Sequence, residues 1–305
     1  MILCVGEILA DMIGEEKKEG FFFERKAGGA PFNVACAVKR LGGSAGFAGS
    51  VGDDLIGDYL LDFAERQNFD ALILKKNKYR NTTLAFVQLS EAGERQFCFY
   101  RKHTADYVLP VVPDRTLQAS DIVHIGSLML SEREGQDYAE TLAKRAKTLG
   151  KTVSFDVNFR CDIFRDSAVA VEIYRKFLPL CDIVKFSEEE AEIFGDAYLR
   201  ESLSSALVCI TKGTNGSEWR YAGESNTVET LKVSPVDTTG AGDAFFGGVL
   251  FKIGSLHKDL QPADLNEALA FGNVCGALNT LGRGAIDPLP TEETVEKFIR
   301  QGLRK

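Results

Sequence analysis

Short apolar runs recur along the chain, separated by stretches in which apolar residues return every three or four positions. The runs Ile2–Val5, Ala45–Gly49, Ala71–Leu74, Ile122–Ile125, Thr152–Asp156, Ile183–Phe186 and Leu207–Thr211 have the length expected of strands buried on both faces. The segments Phe32–Leu41, Leu55–Gln67, Gly135–Leu149 and Ser187–Phe194 carry the stripe of amphipathic helices. Apolar strands alternating with helices predict a three-layer αβα fold with a mainly parallel central sheet. No repeat and no low-complexity linker divides the sequence, so one domain is expected over 1–305.

Two regions break that rhythm. Ile8–Met12 and Phe21–Lys26 flank an acidic turn, and Thr82–Leu89 and Gln96–Arg101 flank Ser90-Glu-Ala-Gly-Glu94, a hairpin signal. They predict a small β-lid formed by about 8–26 and 80–107, with an antiparallel extension of the main sheet as the alternative. A period of two puts Phe97, Phe99 and Arg101 on one lid face and Gln96, Cys98 and Tyr100 on the other. Apolar residues on both faces would suit burial against a second copy, a homodimer through the lid.

Composition narrows the class. Lys and Arg number 36 against 44 Asp and Glu, a net charge of −8 that repels a phosphate backbone and disfavours nucleic acid as a partner. No apolar stretch reaches the roughly 18 residues of a membrane helix. Met1-Ile-Leu-Cys-Val-Gly-Glu7 lacks a basic region and is read as a first strand, which points to the cytoplasm. Seven cysteines without a Cys-x-x-Cys pair, and three histidines without i,i+4 spacing, give a zinc site little to build on.

The strongest chemical signal is Asp237-Thr-Thr-Gly-Ala-Gly-Asp243-Ala-Phe-Phe-Gly-Gly248, a glycine-rich turn running into an apolar helix. The amides of Gly240, Ala241 and Gly242 would form a nest for phosphate oxygens at the positive end of the helix dipole. Asp243 in the first turn is expected to have its pKa lowered and to serve as base in phosphoryl transfer, with helix capping as the structural alternative. The Walker pattern is absent, and Glu7-Ile8 after Gly6 removes the Rossmann turn of a dehydrogenase. A second signal is Ala27-Gly-Gly-Ala-Pro-Phe-Asn33: Gly28 and Gly29 allow close approach, and the Asn33 amide can donate to and accept from hydroxyls. Asp11 adds an acceptor for paired hydroxyls. Asp156, Asn158 and Arg160 follow a buried strand on the edge where open α/β sheets bind ligands. Arg160 offers a planar fork to phosphate, or else a salt bridge to a neighbour such as Asp162.

These two segments, in this order, resemble both signatures of the ribokinase-like (PfkB) carbohydrate kinase family. Val51-Gly-Asp-Asp-x-x-Gly57, Phe99-Tyr-Arg101, Asp156-Val-Asn-Phe-Arg160, Ser187-Glu-Glu-Glu190 and Thr211-Lys-Gly-Thr-Asn-Gly216 extend the similarity over essentially the whole chain. Gly6-Glu-Ile-Leu-Ala-Asp11 and Phe99-Tyr-Arg-Lys-His-Thr-Ala-Asp106 look most like the fructokinase branch. The resemblance implies that Asp11, Gly28, Gly29 and Asn33 hold a sugar, that Phe97, Phe99 and Arg101 close over it, and that Asp243 is the base. It further implies an anion hole at Gly240, Ala241 and Gly242, an ATP site along Asn158, Thr211, Gly213 and Gly216, and Asn273 near the adenine. Glu190 would act on Mg²⁺ through water, although Ser187 stands where the family usually has Asn. Asp237 and Thr239, with carbonyls near Asn279, Gly282 and Gly284, would bind a monovalent cation such as K⁺.

The function so implied is transfer of the γ-phosphoryl of MgATP to the primary hydroxyl of a sugar, D-fructose before others. A 2-keto-3-deoxygluconate kinase, with Arg101 holding the acid, is the alternative, then ribose or a nucleoside; a catalytically silent binding protein would have lost the base that is present at Asp243. The spatial expectation is that Asn33 and Asp243 face each other from opposite walls of one cleft.

Overall fold

The apolar runs become strands whose side chains divide between two helical layers. The computed structural model describes residues 1–89, 95–160, 163–164, 166–254 and 260–302. Among them are the strands β1 (Ile2–Val5), β2 (Leu9–Lys17), β3 (Gly20–Gly28), β4 (Ala45–Gly52), β5 (Ala71–Asn77), β6 (Leu84–Leu89), β7 (Arg95–Tyr100), β8 (Ile122–Ile125), β9 (Thr152–Asp156), β10 (Ile183–Ser187), β11 (Leu207–Thr211), β12 (Ser217–Tyr221) and β13 (Glu224–Val228). The main sheet has the order β13-β12-β11-β10-β9-β8-β1-β4-β5, and every pairing from β11 to β5 is parallel.

The antiparallel β12–β13 edge has no counterpart among the sequence expectations. Ser217-Glu-Trp-Arg-Tyr221 buries only Ser217 and Trp219, so it presents no continuous apolar run. Its two-residue turn has positive φ at both Ala222 (51°) and Gly223 (83°), which matches the twist of a hairpin but hides behind an alanine where Asn would signal it.

The lid is a separate sheet, not an extension of the main one. Its order is β3-β2-β6-β7, with β2 parallel to β6 and hairpin partners on either side. The turn 90–94 lies outside the described residues, as does the Phe97 side chain. Phe99 is half-buried, whereas Cys98 and Tyr100 are exposed, as the alternation requires.

One core layer packs the helices Ala30–Arg40, Ala241–Gly254 and Pro262–Asn279 on the sheet; the other packs Arg133–Thr148 and Ser167–Phe177. Phe32 and Phe246 are fully enclosed in the first layer, each gaining about 2 kcal/mol of transfer free energy. The Ala241–Gly254 and Pro262–Asn279 helices are apolar on nearly all sides because they are surrounded. A Cβ at Gly248 would stand 2.8 Å from Cys275 Sγ and 3.1 Å from Gly272 Cα, so glycine lets these two helices nearly touch. Among the described residues, no helix is long and apolar enough to cross a membrane.

Candidate active site

The carboxyl ends of β9, β10 and β11 and the first turns of two helices open into a cleft of about 770 Å³ beneath the lid. Its lining brings together Asp11, Gly29 and Phe99 from the lid side with Asn33, Asn158, Arg160, Glu190, Thr211, Thr239, Gly240, Gly242 and Asp243 from the helices and strands below. Residues far apart in sequence thus share one space.

Asn33 and Asp243 do not face each other across it. The Asn33 Nδ2 donates to Asp243 Oδ2 at 2.7 Å, so the two side chains form one unit on the same wall, correcting the expectation of opposite walls. The reason is packing: a Cβ at Gly247 would stand 2.6 Å from Ala37 Cβ, so glycine brings the two helices together and their first turns meet. The Asn33 Oδ1 is buried without a protein partner, leaving an acceptor for a sugar hydroxyl. Nor does Asn33 cap its helix.

The Asp243 carboxyl is pushed up to about 6, first by burial and then by the charge of Asp156. The Asn33 hydrogen bond, Lys185 and Arg160 pull the other way without cancelling it. The expected lowering by the helix dipole is therefore reversed: an end-of-helix dipole acts at one turn's range, while desolvation acts on the whole carboxylate.

Asp11 lies against Gly28, where a Cβ would come within 2.2 Å of Oδ2, and Gly29 (φ 115°) passes 2.5 Å from the Glu7 carbonyl by the same measure. At the other end, Gly240 (φ 72°) turns the chain where a Cβ would strike Ala285 at 2.5 Å. A Cβ at Gly242 would meet only the end of the Lys185 side chain, 3.2 Å from Nζ and 3.5 Å from Cε. Asn158 takes a left-handed conformation (φ 35°) just past β9, one that Asn tolerates better than most residues.

Several expected ligands are engaged by the protein. Arg101 is outside the cleft lining; its Nε donates to Asp106 Oδ2 at 2.6 Å and its Nη1 to Ser131 Oγ and the Tyr107 hydroxyl, while its Nη2 is buried without a protein partner. Burial alone would lower its pKa, but Asp106 holds it charged. Glu190 accepts the amides of Phe159 and Ser187 at 2.5 and 2.7 Å and completes a capping box with Ser187, the role that Ser-x-x-Glu encodes in the sequence. Burial raises its pKa. Asn273 donates to the Val228 and Glu229 carbonyls, and a Cβ at Gly216 (φ 87°) would lie 2.1 Å from the Val228 carbonyl. Gly213 (φ 54°), Gly216 and Asn273 lie outside the cleft lining. Asp162, the alternative partner of Arg160, lies outside the described residues.

Asp237 ties two loops together, its Oδ1 accepting from Thr239 N and its Oδ2 from Gly284 N. Asn279 donates to the Thr239 carbonyl, and Thr239 Oγ1 and Asn279 Oδ1 are both buried without a protein partner. Two buried acceptors facing no donor suit a bare cation better than an apolar filling.

Two buried ionisable residues, Lys185 in the cleft lining and Glu7 behind it, were missed by the sequence reading. Lys185 donates to both Asp156 oxygens at 2.8 Å, and Glu7, with Oε1 accepting from Ala30 N, is pushed by burial up to about 8. A signal existed for the first: a lysine inside the apolar run Ile183-Val-Lys-Phe186 is almost never buried unless paired.

Similarity to known proteins points the same way as the geometry. The model of the pfkB family of carbohydrate kinases matches residues 1–292. A fructokinase of Vibrio alginolyticus is 34% identical over 98% of this chain and 99% of its own length. A fructokinase of Xylella fastidiosa with bound ATP superposes with a TM-score of 0.91 at 30% identity, covering 99% of this chain and 98% of its own. A fructokinase double mutant of Vibrio cholerae, holding fructose, ADP and potassium, does so with a TM-score of 0.88 at 29% identity over 97% of each chain. The chain belongs to the pfkB family of carbohydrate kinases.

Proposed function

We infer that this chain phosphorylates D-fructose on its primary hydroxyl, O6, with ATP as donor. The observation that carries the reading is the Asp243 carboxylate: held by Asn33, lifted to about 6, and one residue from the Gly240–Gly242 turn in the same cleft as Asp11 and Phe99. A base titrating near the working pH accepts a proton readily. As the sugar oxygen bonds to the γ-phosphorus and the bond to the bridging oxygen of ADP breaks, the hydroxyl proton passes to Asp243. The amides of Gly240 and Gly242 face the charge on the equatorial oxygens, whereas that of Ala241, expected in the same nest, is donated to the Thr238 carbonyl. Asp11 and the open Asn33 Oδ1 orient the sugar, and Phe99 excludes water from above. Thr211 and Asn158 border the nucleotide side, as does Arg160, whose guanidinium steadies phosphate charge.

A neutral sugar fits better than a keto acid, because Asp106 already neutralises Arg101. Glu190, in the cleft lining with each oxygen accepting one amide, would offer its remaining lone pairs to waters of the Mg²⁺ that accompanies ATP. K⁺ would sit among Asp237, Thr239, Asn279 and the 282–284 loop, whose two orphaned oxygens fit it, and would neutralise charge behind the anion hole. Half-exposed Phe21, Phe22 and Phe23 with exposed Tyr100 on the lid suit a homodimer. Buried free thiols at Cys4, Cys36, Cys181, Cys209 and Cys275 suit the reducing, ATP-supplied cytoplasm.

ADP release measured against fructose, 2-keto-3-deoxygluconate, ribose and adenosine tests the reading. Fructose should give the highest kcat/KM with fructose 6-phosphate as product; a higher value for any of the other three overturns it.

A further inference from the structure

Lys185 stands under the anion-hole turn with its charge already aimed. It projects from β10 opposite Asp156 of β9, and both oxygens of that carboxylate grip the ammonium at 2.8 Å. Both side chains are more than nine-tenths buried, yet only the lysine reaches the cleft lining. The pair is therefore a fixed dipole with its positive end toward Gly242 and its negative end behind it. Glycine at 242 leaves that end uncovered, since the nearest atom to an added Cβ is the ammonium nitrogen at 3.2 Å.

We propose that Lys185, held in place by Asp156, is a catalytic cation of this site that contacts the transferring phosphoryl group from beneath the Gly240–Gly242 turn. The amides of the turn offer partial charges, whereas the ammonium offers a full one at a largely buried position, with no reorganisation needed when the transition state forms. Asp156 is a positioning residue: it keeps the ammonium charged against burial and fixes where it points. The proposal rests on the phosphoryl-transfer reading but not on fructose being the acceptor.

Lys185→Met alone would leave the Asp156 carboxylate buried and unpaired and is at risk of misfolding. The deciding variant is Lys185→Met with Asp156→Leu, which removes both charges. The two act on Asp243 in opposite senses, Asp156 the more strongly, so the double change lowers the base by less than loss of Asp156 alone would. The variant is expected to bind MgADP as the wild type does, to keep its sugar KM, and to lose about 10²–10³-fold in kcat, the cost of deleting one oxyanion-hole donor. A binding measurement separates this from failure of the substrate assignment: aluminium tetrafluoride should tighten MgADP binding to the wild type and not to the double variant. Lys185→Arg, which retains a cation, should recover part of both signals. The proposal is overturned if the folded double variant keeps kcat within about fivefold of wild type, or if aluminium fluoride tightens ADP equally in both proteins.

Discussion

Replacing Asp243 by Asn should make the empty enzyme more stable while disabling it, and the stability gain should depend on pH in a defined direction. The folded carboxyl sits near 6, about two units above an ordinary aspartate at about 3.9. Between those values the folded chain holds a proton that the unfolded chain releases, so stability is full below about 3.9 and is lost as pH rises through 6. Two units at 1.36 kcal/mol each correspond to about 3 kcal/mol, and water in the open cleft screens that to about 1–2 kcal/mol. Asn is isosteric, its Oδ1 still accepts from Asn33, and it carries no charge to desolvate. The variant minus wild-type difference should thus be smallest below about pH 4, grow between about 4 and 6, and reach its plateau above about pH 7. Glu7, Asp156, Lys185 and Arg160 also face this carboxyl, but they are present in both proteins and largely cancel in the difference. Urea titrations at half-unit pH steps measure it, and fructose turnover should fall by about 10²–10⁴-fold in the same preparation. A gap that is flat with pH, or that shrinks as pH rises from 5 to 7, would refute the assignment of Asp243 as a carboxylate held against its preference.

The remaining expectations concern the walls of the cleft. Gly28→Ala places a methyl 2.2 Å from Asp11 Oδ2 and must displace that carboxylate; the fructose KM should rise at least tenfold while the ATP KM stays put, and an unchanged fructose KM would remove Asp11 from the sugar. Asp106→Asn strands the Arg101 charge in a site with 2% side-chain exposure, which should cost about 3–5 kcal/mol of stability by urea denaturation. If it instead acts chiefly on the sugar KM, Arg101 belongs to substrate binding after all. Replacing K⁺ by tetramethylammonium should lower kcat, and Asp237→Ala should abolish the difference between the two cations; equal rates in wild type would dismiss the cation site.

How much of this was legible depended on whether a residue's role is set by its own chain segment or by a partner from elsewhere. The seven parallel strands were readable because six of them are largely buried and so apolar nearly throughout, and the seventh, the half-buried edge strand β5, opens with the apolar run Ala71–Leu74. The β12–β13 hairpin was not, because β12 alternates its buried residues Ser217 and Trp219 with Glu218 and Arg220 and so shows no apolar run. In the site, the two glycine-rich turns announced themselves because their shape is local. Asn33, Arg101, Glu190 and Asn273 were readable as polar residues in the right region, but not as groups committed to Asp243, Asp106, the Phe159 amide, and the Val228 and Glu229 carbonyls respectively.

That distinction also explains why the pKa of Asp243 was expected in the wrong direction. A helix dipole can be inferred from a single segment, and it lowers an acid's pKa by a modest amount near the first turn. Desolvation and the Asp156 charge come from β9 and the packing above it, elements some ninety positions away, and nothing in the segment 237–248 reports them. The same physics makes the site workable. A carboxylate lowered by the dipole alone would be a poor acceptor for a hydroxyl proton, whereas one raised to about 6 remains mostly ionised at pH 7 and is a far stronger base. Asp156 therefore serves two ends at once: its charge raises the base, and its grip on Lys185 sets a compensating cation beside the same turn, so neither residue can be changed without altering both the proton acceptor and the phosphoryl cradle.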